Sequence, residues 1–343
     1  LDPGAAPAET ATALVAEMET LHGPTEVGIR DQHRVVRVVE EDPLDPAGDL
    51  DLTADSVVLL TGGARGITGR MAVEFARRFQ CRLELVGRTP EPAGEPDADL
   101  ADAGDAMAVR TALIARGMSD PGAIERACRR TLAEREIRET LRAIRDAGGT
   151  VTYHAVDVRD AEAFGALIDG VYDAYGRLDG IVHGAGILDD KLAKDKEIAA
   201  FDRVFGTKVD GALTITRHVR SDIRFIAFFG SVSGVFGNRG QSDYAAANAL
   251  LDTLARRLDR QLDGRVVSLD WGPWAGGGMV SPELEREYAR QGVGLIPPAE
   301  GIAALFDEIA SGTEAQAVWM CATPEAMSPP AAQRALAPAR SAV

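Results

Sequence analysis

Hydrophobic positions along the chain fall into short apolar runs separated by longer amphipathic stretches. Val57-Val58-Leu59-Leu60 is apolar at four successive positions, the pattern of a strand buried on both faces. A glycine-rich turn follows, then a helical pattern over 69–79 and a second strand over 82–86. Residues 150–156 read as a third strand, 162–175 as an amphipathic helix, and 180–183 as the start of a fourth strand. Helix 201–219, strand 224–230, helix 243–262, strand 266–269, helix 298–309 and a last strand over 315–320 complete the series. Strands and helices alternating at this spacing predict an α/β fold, a Rossmann-type doubly wound parallel sheet.

Two stretches break the alternation. Residues 90–149 form a long helical insertion between strands two and three. Its first part, 90–105, is rich in Pro, Ala and Asp and reads as a loop. Its second part, 106–147, is helical, rich in Arg and Glu, and absorbs the helix that joins the two strands. The other break is a short N-terminal β-containing extension, 1–54. It carries a helical segment over 10–21, one or two strands within 26–40, and an acidic linker over 41–55. The predicted domains are therefore the extension 1–54, a cofactor-binding catalytic domain 55–325, and a tail or linker 326–343.

Charge and cysteine usage narrow the function class. The 343 residues hold 53 acids against 37 bases, a net charge of −16. Such a surface repels phosphate, so neither nucleic acid nor an anionic membrane is an expected partner. No apolar run is long enough to span a bilayer. Three scattered cysteines, Cys81, Cys128 and Cys321, offer no metal-ligand spacing and no disulfide framework, so a reducing, cytoplasmic setting is expected and no metal. The first residues, Leu-Asp-Pro-Gly, read as the start of an excised piece or a processed terminus.

The candidate chemistry lies where the predicted strands end. Thr61-Gly62-Gly63-Ala64-Arg65-Gly66-Ile67-Thr68-Gly69 follows the first buried strand, where glycines let the backbone approach a pyrophosphate resting on a helix N-terminus. The second strand ends at Arg88 rather than at an acid that would grip ribose hydroxyls. Arg88, with Arg65, suits a 2′-phosphate and so NADPH. Asp157-Val158 closes the third strand where an adenine would lie, and His183-Gly184-Ala185-Gly186 closes the fourth where the cofactor ribose would approach. His183 itself is assigned no chemical role. Ser231 follows the fifth strand, Tyr244 comes thirteen residues later, and Asn248 shares a helix face with Tyr244 four residues on. Lys208 sits on the preceding helix. Each has an ordinary reading alone, as cap, core or surface residue; together they mark a catalytic constellation.

These motifs, with 240–249 (GQSDYAAANA) and Trp271-Gly272-Pro273-Trp274, resemble the ketoreductase domain of a type I polyketide synthase, within the short-chain dehydrogenase/reductase superfamily. The resemblance covers about 56–320 and is most specific at the helix motif. Ordinary short-chain dehydrogenases carry Tyr-x-x-x-Lys; here Lys208 comes first and the helix reads Tyr244-x-x-x-Asn248. Departures at Ala64, Arg65 and Thr68, and the Arg-rich insertion, resemble iterative or polyunsaturated-fatty-acid-type synthases, and the first 50 residues resemble a remnant of the accompanying structural subdomain.

The resemblance implies an NADPH-dependent 3-oxoacyl-[acyl carrier protein] reductase. Ser231 would bind the ketone oxygen, Tyr244 protonate it, Lys208 lower the cost of releasing that proton and hold the ribose, and Asn248 order the lysine. It implies partners too: the acyl carrier protein and neighbouring synthase domains. Leu188-Asp189-Asp190, with Phe236 in place of a Trp, implies a D-configured product; Trp274 and Met279 would border the substrate, under a lid over 279–296 hinged at Gly276, Gly277 and Gly278. The insertion arginines at 126, 129, 130, 135, 138 and 142 alternate with glutamates and read as a solvated face sooner than a carrier-docking patch. A free-standing reductase of small ketones and a catalytically silent module stay open.

Overall fold

The computed structural model describes residues 5–20, 26–30, 33–45, 48–94, 97–101, 103–276 and 282–323. They divide into two compact units, Leu1–Pro43 with Glu283–Gly294 and Cys321–Val343, and Leu44–Pro282 with Leu295–Met320. In the first unit, helix Pro7–Met18 starts on a proline, whose missing N–H is no loss in a first turn. Antiparallel strands Val27–Arg30 and His33–Val36 resolve the expected one or two strands into a hairpin, and Arg34 donates two bonds of 2.7 Å to Glu17. A two-residue ladder pairs Val293–Gly294 with Cys321–Ala322.

The second unit is the predicted parallel sheet. Its seven strands are β1 (Val57–Thr61), β2 (Arg82–Gly87), β3 (Thr150–Ala155), β4 (Gly180–His183), β5 (Phe225–Ser231), β6 (Arg265–Trp271) and β7 (Gln316–Trp319). They lie in the order β7-β6-β5-β4-β1-β2-β3, every neighbouring pair parallel. All five residues of β1 are buried because alternate ones feed different cores. Val58 and Leu60 join Met71, Phe75 and Phe306 on one face; Val57 and Leu59 join Phe164, Ile168 and Leu251 on the other. Strand order reverses at β1 and β4, so the crevice at their carboxyl ends is the ligand position for such a sheet. The acidic stretch after Pro43 travels with this unit: Leu52 is buried in the first core, and the Gly48 N–H donates to Ser311 Oγ at 3.0 Å.

The connecting helices are α1 (Gly66–Phe79), α2 (Ala106–Ala115), α3 (Pro121–Asp146), α4 (Ala161–Tyr175), α5 (Ile198–His218), α6 (Ser242–Leu258) and α7 (Pro298–Ser311). The expected continuous helical stretch 106–147 is two helices. Gly117 takes φ +91°, and Asp120 caps α3 by accepting the Ala123 N–H at 2.6 Å, with Pro121 in the first turn. The first half of α3 sets Ile124 and Cys128 against Val109 and Leu113 of α2, while its second half sets Ile137, Leu141 and Ile144 into the main core. Within the stretch expected as loop, Ala98–Ala101 form one helical turn.

Candidate active site

The glycine-rich loop turns through Gly62 at φ +71° and Gly66 at φ +57°, conformations open to glycine and strained for other residues. Gly63 sits tightly above β1, where a Cβ would come within 2.7 Å of Leu60 Cβ. At the start of α1 the Gly66 N–H donates to Glu136 of α3 at 2.7 Å, and Arg65 Nε donates to the same carboxylate at 3.0 Å. This turn therefore holds an anionic oxygen already, on a backbone N–H and a guanidinium. Facing it, Gly184 leaves space that a Cβ would close, 2.4 Å from Thr68 Oγ1. Ile67 is partly buried behind the loop. Arg88 is exposed just past β2. Asp157 is held in a bidentate pair with Arg159, which keeps its carboxyl below the usual range, and Val158 is buried. Glu84, the acid nearest the end of β2, is buried and bonded to His154 at 2.5 Å and to Tyr175 at 2.9 Å, which withdraws it from the crevice.

Lys208, Ser231, Tyr244 and Asn248 converge. Lys208 projects from α5 into the interior, only 3% exposed. Its ammonium donates to the Phe229 carbonyl at 2.5 Å and stands 5.3 Å from the centre of the Tyr244 ring. Burial pulls its pKa down to about 8, against the opposing pull of Asp270 and Asp252. Ser231 ends β5 and caps the short helix Val232–Phe236, its Oγ accepting the Ser233 N–H at 3.2 Å. Asn248 is fully buried one turn after Tyr244 and donates to the Tyr244 carbonyl at 2.7 Å. Its Oδ1 is also buried and has no hydrogen-bond partner, an acceptor left available one helical turn from Tyr244. Gly234 allows this closeness, since a Cβ there would lie 2.9 Å from Asn248 Cβ.

His183 has the positional role that sequence alone did not reveal. Nε2 faces the Lys208 carbonyl at 2.8 Å and Nδ1 faces Thr61 Oγ1 at 2.8 Å. A carbonyl only accepts, so Nε2 carries the proton, Nδ1 is bare and the Thr61 hydroxyl donates to it. Thr61 Oγ1 in turn accepts the Ala185 N–H at 3.2 Å. Burial holds the imidazole pKa down to about 4, so the ring is neutral. The ends of β1 and β4 are thus bonded to the backbone of Lys208. Gly211 makes room for the ring, at 2.7 Å from a Cβ built there.

Behind Ser231 lies a buried acid pair. Gln316 Nε2 donates to Asp252 at 2.9 Å and to Asp270 at 2.7 Å, and Ser268 donates to Asp252 at 2.7 Å. Burial and the neighbouring Asp252 push the Asp270 carboxyl well above its usual range. This local electrostatic element was absent from the sequence reading.

Leu188 and Asp189 are partly buried, and Asp190 is exposed at the loop after β4. Asp189 pairs with Arg203 at 2.9 Å, and Asp190 accepts from Gln241 at 3.0 Å. Phe236 is 52% exposed at the end of its short helix. Trp274 occupies a packing position instead: its ring is buried against Trp271, centroids 4.8 Å apart, and over Gly301. Gly186 lies against the Lys208 side chain. Met279, Gly277 and Gly278 lie outside the described residues; the segment read as a lid contains helix Pro282–Arg290 and strand Val293–Gly294. On α3, Arg129 pairs with Glu125 at 2.9 Å, and Arg135 donates to the Leu100 carbonyl at 2.7 Å. Burial pushes the Cys81 thiol up to about 12, which leaves it no nucleophile. Among the described residues no His, Cys, Asp and Glu group could hold a metal, and no helix is long and apolar enough to cross a membrane.

A parallel sheet with its switch point at a glycine-rich turn, and a Lys-Ser-Tyr-Asn cluster at its carboxyl edge, define the short-chain dehydrogenase/reductase class. Residues 56–276 match the KR domain family, and the chain belongs to that family, the ketoreductase domains of polyketide synthases. It is 33% identical over 310 residues to a polyunsaturated fatty acid synthase chain of Thraustochytrium sp., covering 86% of this chain and 11% of that protein. It is 32% identical over 280 residues to polyketide synthase GfsA of Streptomyces halstedii, covering 80% of this chain and 3% of that one. The chain thus spans a small part of these relatives. Among solved structures it is similar to PlmKR1, a ketoreductase from the first module of phoslactomycin biosynthesis in Streptomyces sp. HK803, with TM-score 0.69, 28% identity, and coverage of 87% of this chain and 60% of that one. It is also similar to an A1-type ketoreductase, with TM-score 0.70, 26% identity and coverage of 92% and 58%.

Proposed function

We propose that this chain reduces a β-ketoacyl thioester carried on the phosphopantetheine arm of an acyl carrier protein, using NADPH and giving the D-configured β-hydroxyacyl thioester. The observation that carries the reading is the buried Lys208 ammonium beside the Tyr244 ring, with Ser231 at the end of the adjacent strand. Bound NADPH supplies the hydride to the ketone carbon. As charge develops on the ketone oxygen, Ser231 donates a hydrogen bond to it and Tyr244 gives it a proton. A tyrosine with a pKa of about 10 is a weak acid, and the Lys208 cation favours its phenolate, which eases the transfer. The Asn248 Oδ1 is available to orient the ammonium or a relay water. Gly62, Gly63, Gly66 and Gly184 to Gly186 would border the cofactor, with Arg65 and Arg88 reaching its 2′-phosphate. The donors and openings of the loop fit that group. Leu188, Asp189, Asp190 and Phe236 would face the acyl chain, and neighbouring synthase domains would deliver the carrier.

The deciding experiment is cofactor oxidation with a panel of β-ketoacyl thioesters and simple ketones, under NADPH and NADH, with chiral analysis of the products. Expected are a strong preference for the thioesters and for NADPH, and one hand of product. Better turnover of a small cyclic ketone would replace this reading with that of a free-standing carbonyl reductase.

The Glu136 contact gives a second expectation. Its carboxylate competes with cofactor phosphate for the Gly66 N–H and Arg65, and like charges repel. An anion at a helix N-terminus is stabilised by about 0.3–1 kcal/mol, so Glu136→Gln should tighten NADPH binding about two- to five-fold. Fluorescence titration of NADPH reads this directly; weaker binding would assign Glu136 to loop order instead.

A further inference from the structure

The geometry points to Lys196 and Asp243 as a buried ionic clamp that positions the 188–191 loop against Tyr244, and thereby sets the hand of reduction. This rests on the reading of Tyr244 as proton donor and of that loop as substrate-facing. Lys196 Nζ lies 2.6 Å from Asp243 Oδ2, an ion pair by distance without hydrogen-bond alignment, with the two side chains 3% and 1% exposed. Each partner is bonded on to one of the parts it joins. Lys196 Nζ also donates to the backbone carbonyl of Asp189 at 2.9 Å, inside the Leu188-Asp189-Asp190 segment. The other carboxylate oxygen of Asp243 accepts the Tyr244 N–H at 2.9 Å. An uninterrupted polar path therefore runs from the loop carbonyl through two buried charges to the backbone of the proton donor.

Neighbouring bonds repeat the connection. Gln241 donates to Asp190 at 3.0 Å, while its Oε1 accepts from Ser233 at 2.8 Å and from Asn238 at 3.0 Å. Ser233 Oγ accepts from Ser231 Oγ at 3.3 Å, which brings the ketone-binding serine into the same net. The Lys191 N–H donates to the Gly240 carbonyl at 3.0 Å. Gly240 stands at φ +88°, a left-handed turn that puts this carbonyl beside the loop.

Stability alone is a poor reason for such a pair. Removing two charges from water costs roughly what their attraction returns, and an apolar pair of similar volume commonly folds as well or better. A buried ion pair does fix relative position, because neither charge can move without losing its partner. Which face of the ketone meets the hydride depends on the loop that orients the acyl chain relative to Tyr244. Lys196 and Asp243 are positioning residues: they touch the loop and the tyrosine backbone, not the reacting atoms.

The test compares wild type, Asp243→Asn and the neutral double variant Lys196→Met/Asp243→Asn. The readouts are kcat, KM for thioester and for NADPH, product ratio, melting temperature, and amide exchange at 188–192. The double variant is expected to melt near wild type and keep its NADPH KM. It should nevertheless lose about ten-fold in kcat, give a mixed product, and exchange the loop amides at least ten-fold faster. If the pair only stabilises the fold, the double variant recovers wild-type kcat and product ratio and its loop exchange is unchanged; that result overturns the clamp. Lys196→Gln/Asp243→Asn is also neutral and keeps a polar atom at each position, so it carries the same comparison if the first double variant does not fold. Absence of thioester reduction by wild type would reject the underlying function, and loop exchange would still decide the clamp.

Discussion

Tyr244→Phe is expected to lower turnover about 10²- to 10⁴-fold while leaving NADPH affinity nearly unchanged, the range for loss of a positioned general acid. The substitution removes one oxygen from a ring that α6 holds by its backbone and keeps the ring beside Lys208. Helix packing should be undisturbed, because Tyr244 is only partly buried and the apolar contacts of α6 come from Ala247, Leu251, Leu254 and Ala255. Steady-state kinetics with a β-ketoacyl thioester, paired with NADPH titration, separate the effects. Wild-type turnover in this variant would remove Tyr244 from the chemistry. Loss of cofactor binding together with turnover would make it a structural residue.

Lys208→Met should be nearly as damaging, about 10² in turnover, because it removes the preorganised charge that eases proton release. It should also leave a pH signature. The ammonium titrates at about 8 in the folded chain, so kcat/KM of the wild type should fall on the alkaline side from about pH 8. Stability should follow from the same shift. An unfolded lysine holds its proton up to about pH 10.4. Between about pH 8 and that value the unfolded chain binds more protons than the folded one, so this group makes stability rise with pH. Below about pH 8 both states are protonated, and the full cost of the buried charge is borne by the folded state. Urea unfolding at pH 7.5, 8.5 and 9.5 should show the rise in wild type and not in Lys208→Met. A slope of the same size in both proteins would place the titration elsewhere.

Much of this architecture is legible locally. β1 is visible because a strand buried on both faces must be apolar at every position, and the turn after it because φ is positive at Gly62 and Gly66. The break between α2 and α3 is also written in the sequence, as Gly117 and the Asp120-Pro121 cap. It is masked there by the helix-favouring residues on both sides. The start of α5 at Ile198 carries no such mark, since Glu197 makes no side-chain capping bond. Lys208, Ser231, Tyr244 and Asn248 stand out because their spacing along successive elements is itself a pattern. The bonds from Glu136 to Gly66, His183 to Lys208, and Lys196 to Asp243 have no such signature. Each joins residues far apart in the chain, and each residue alone passes for an ordinary surface acid, core histidine or solvated lysine. The packing of α3 against α1, the sheet order, and the approach of the loop after β4 to the start of α6 bring them together in turn.

The two-part burial along α3 has a consequence for anyone who would trim or exchange this domain. The insertion has no seam at its own two ends. Ile124 and Cys128 belong to its own small core, yet the same unbroken helix goes on to supply Ile137, Leu141 and Ile144 beneath β2 and β3. A cut at the outer ends of the excursion would hollow out the reductase. A workable graft must part the helix between Cys128 and Ala133, with a new capping residue at the exposed turn.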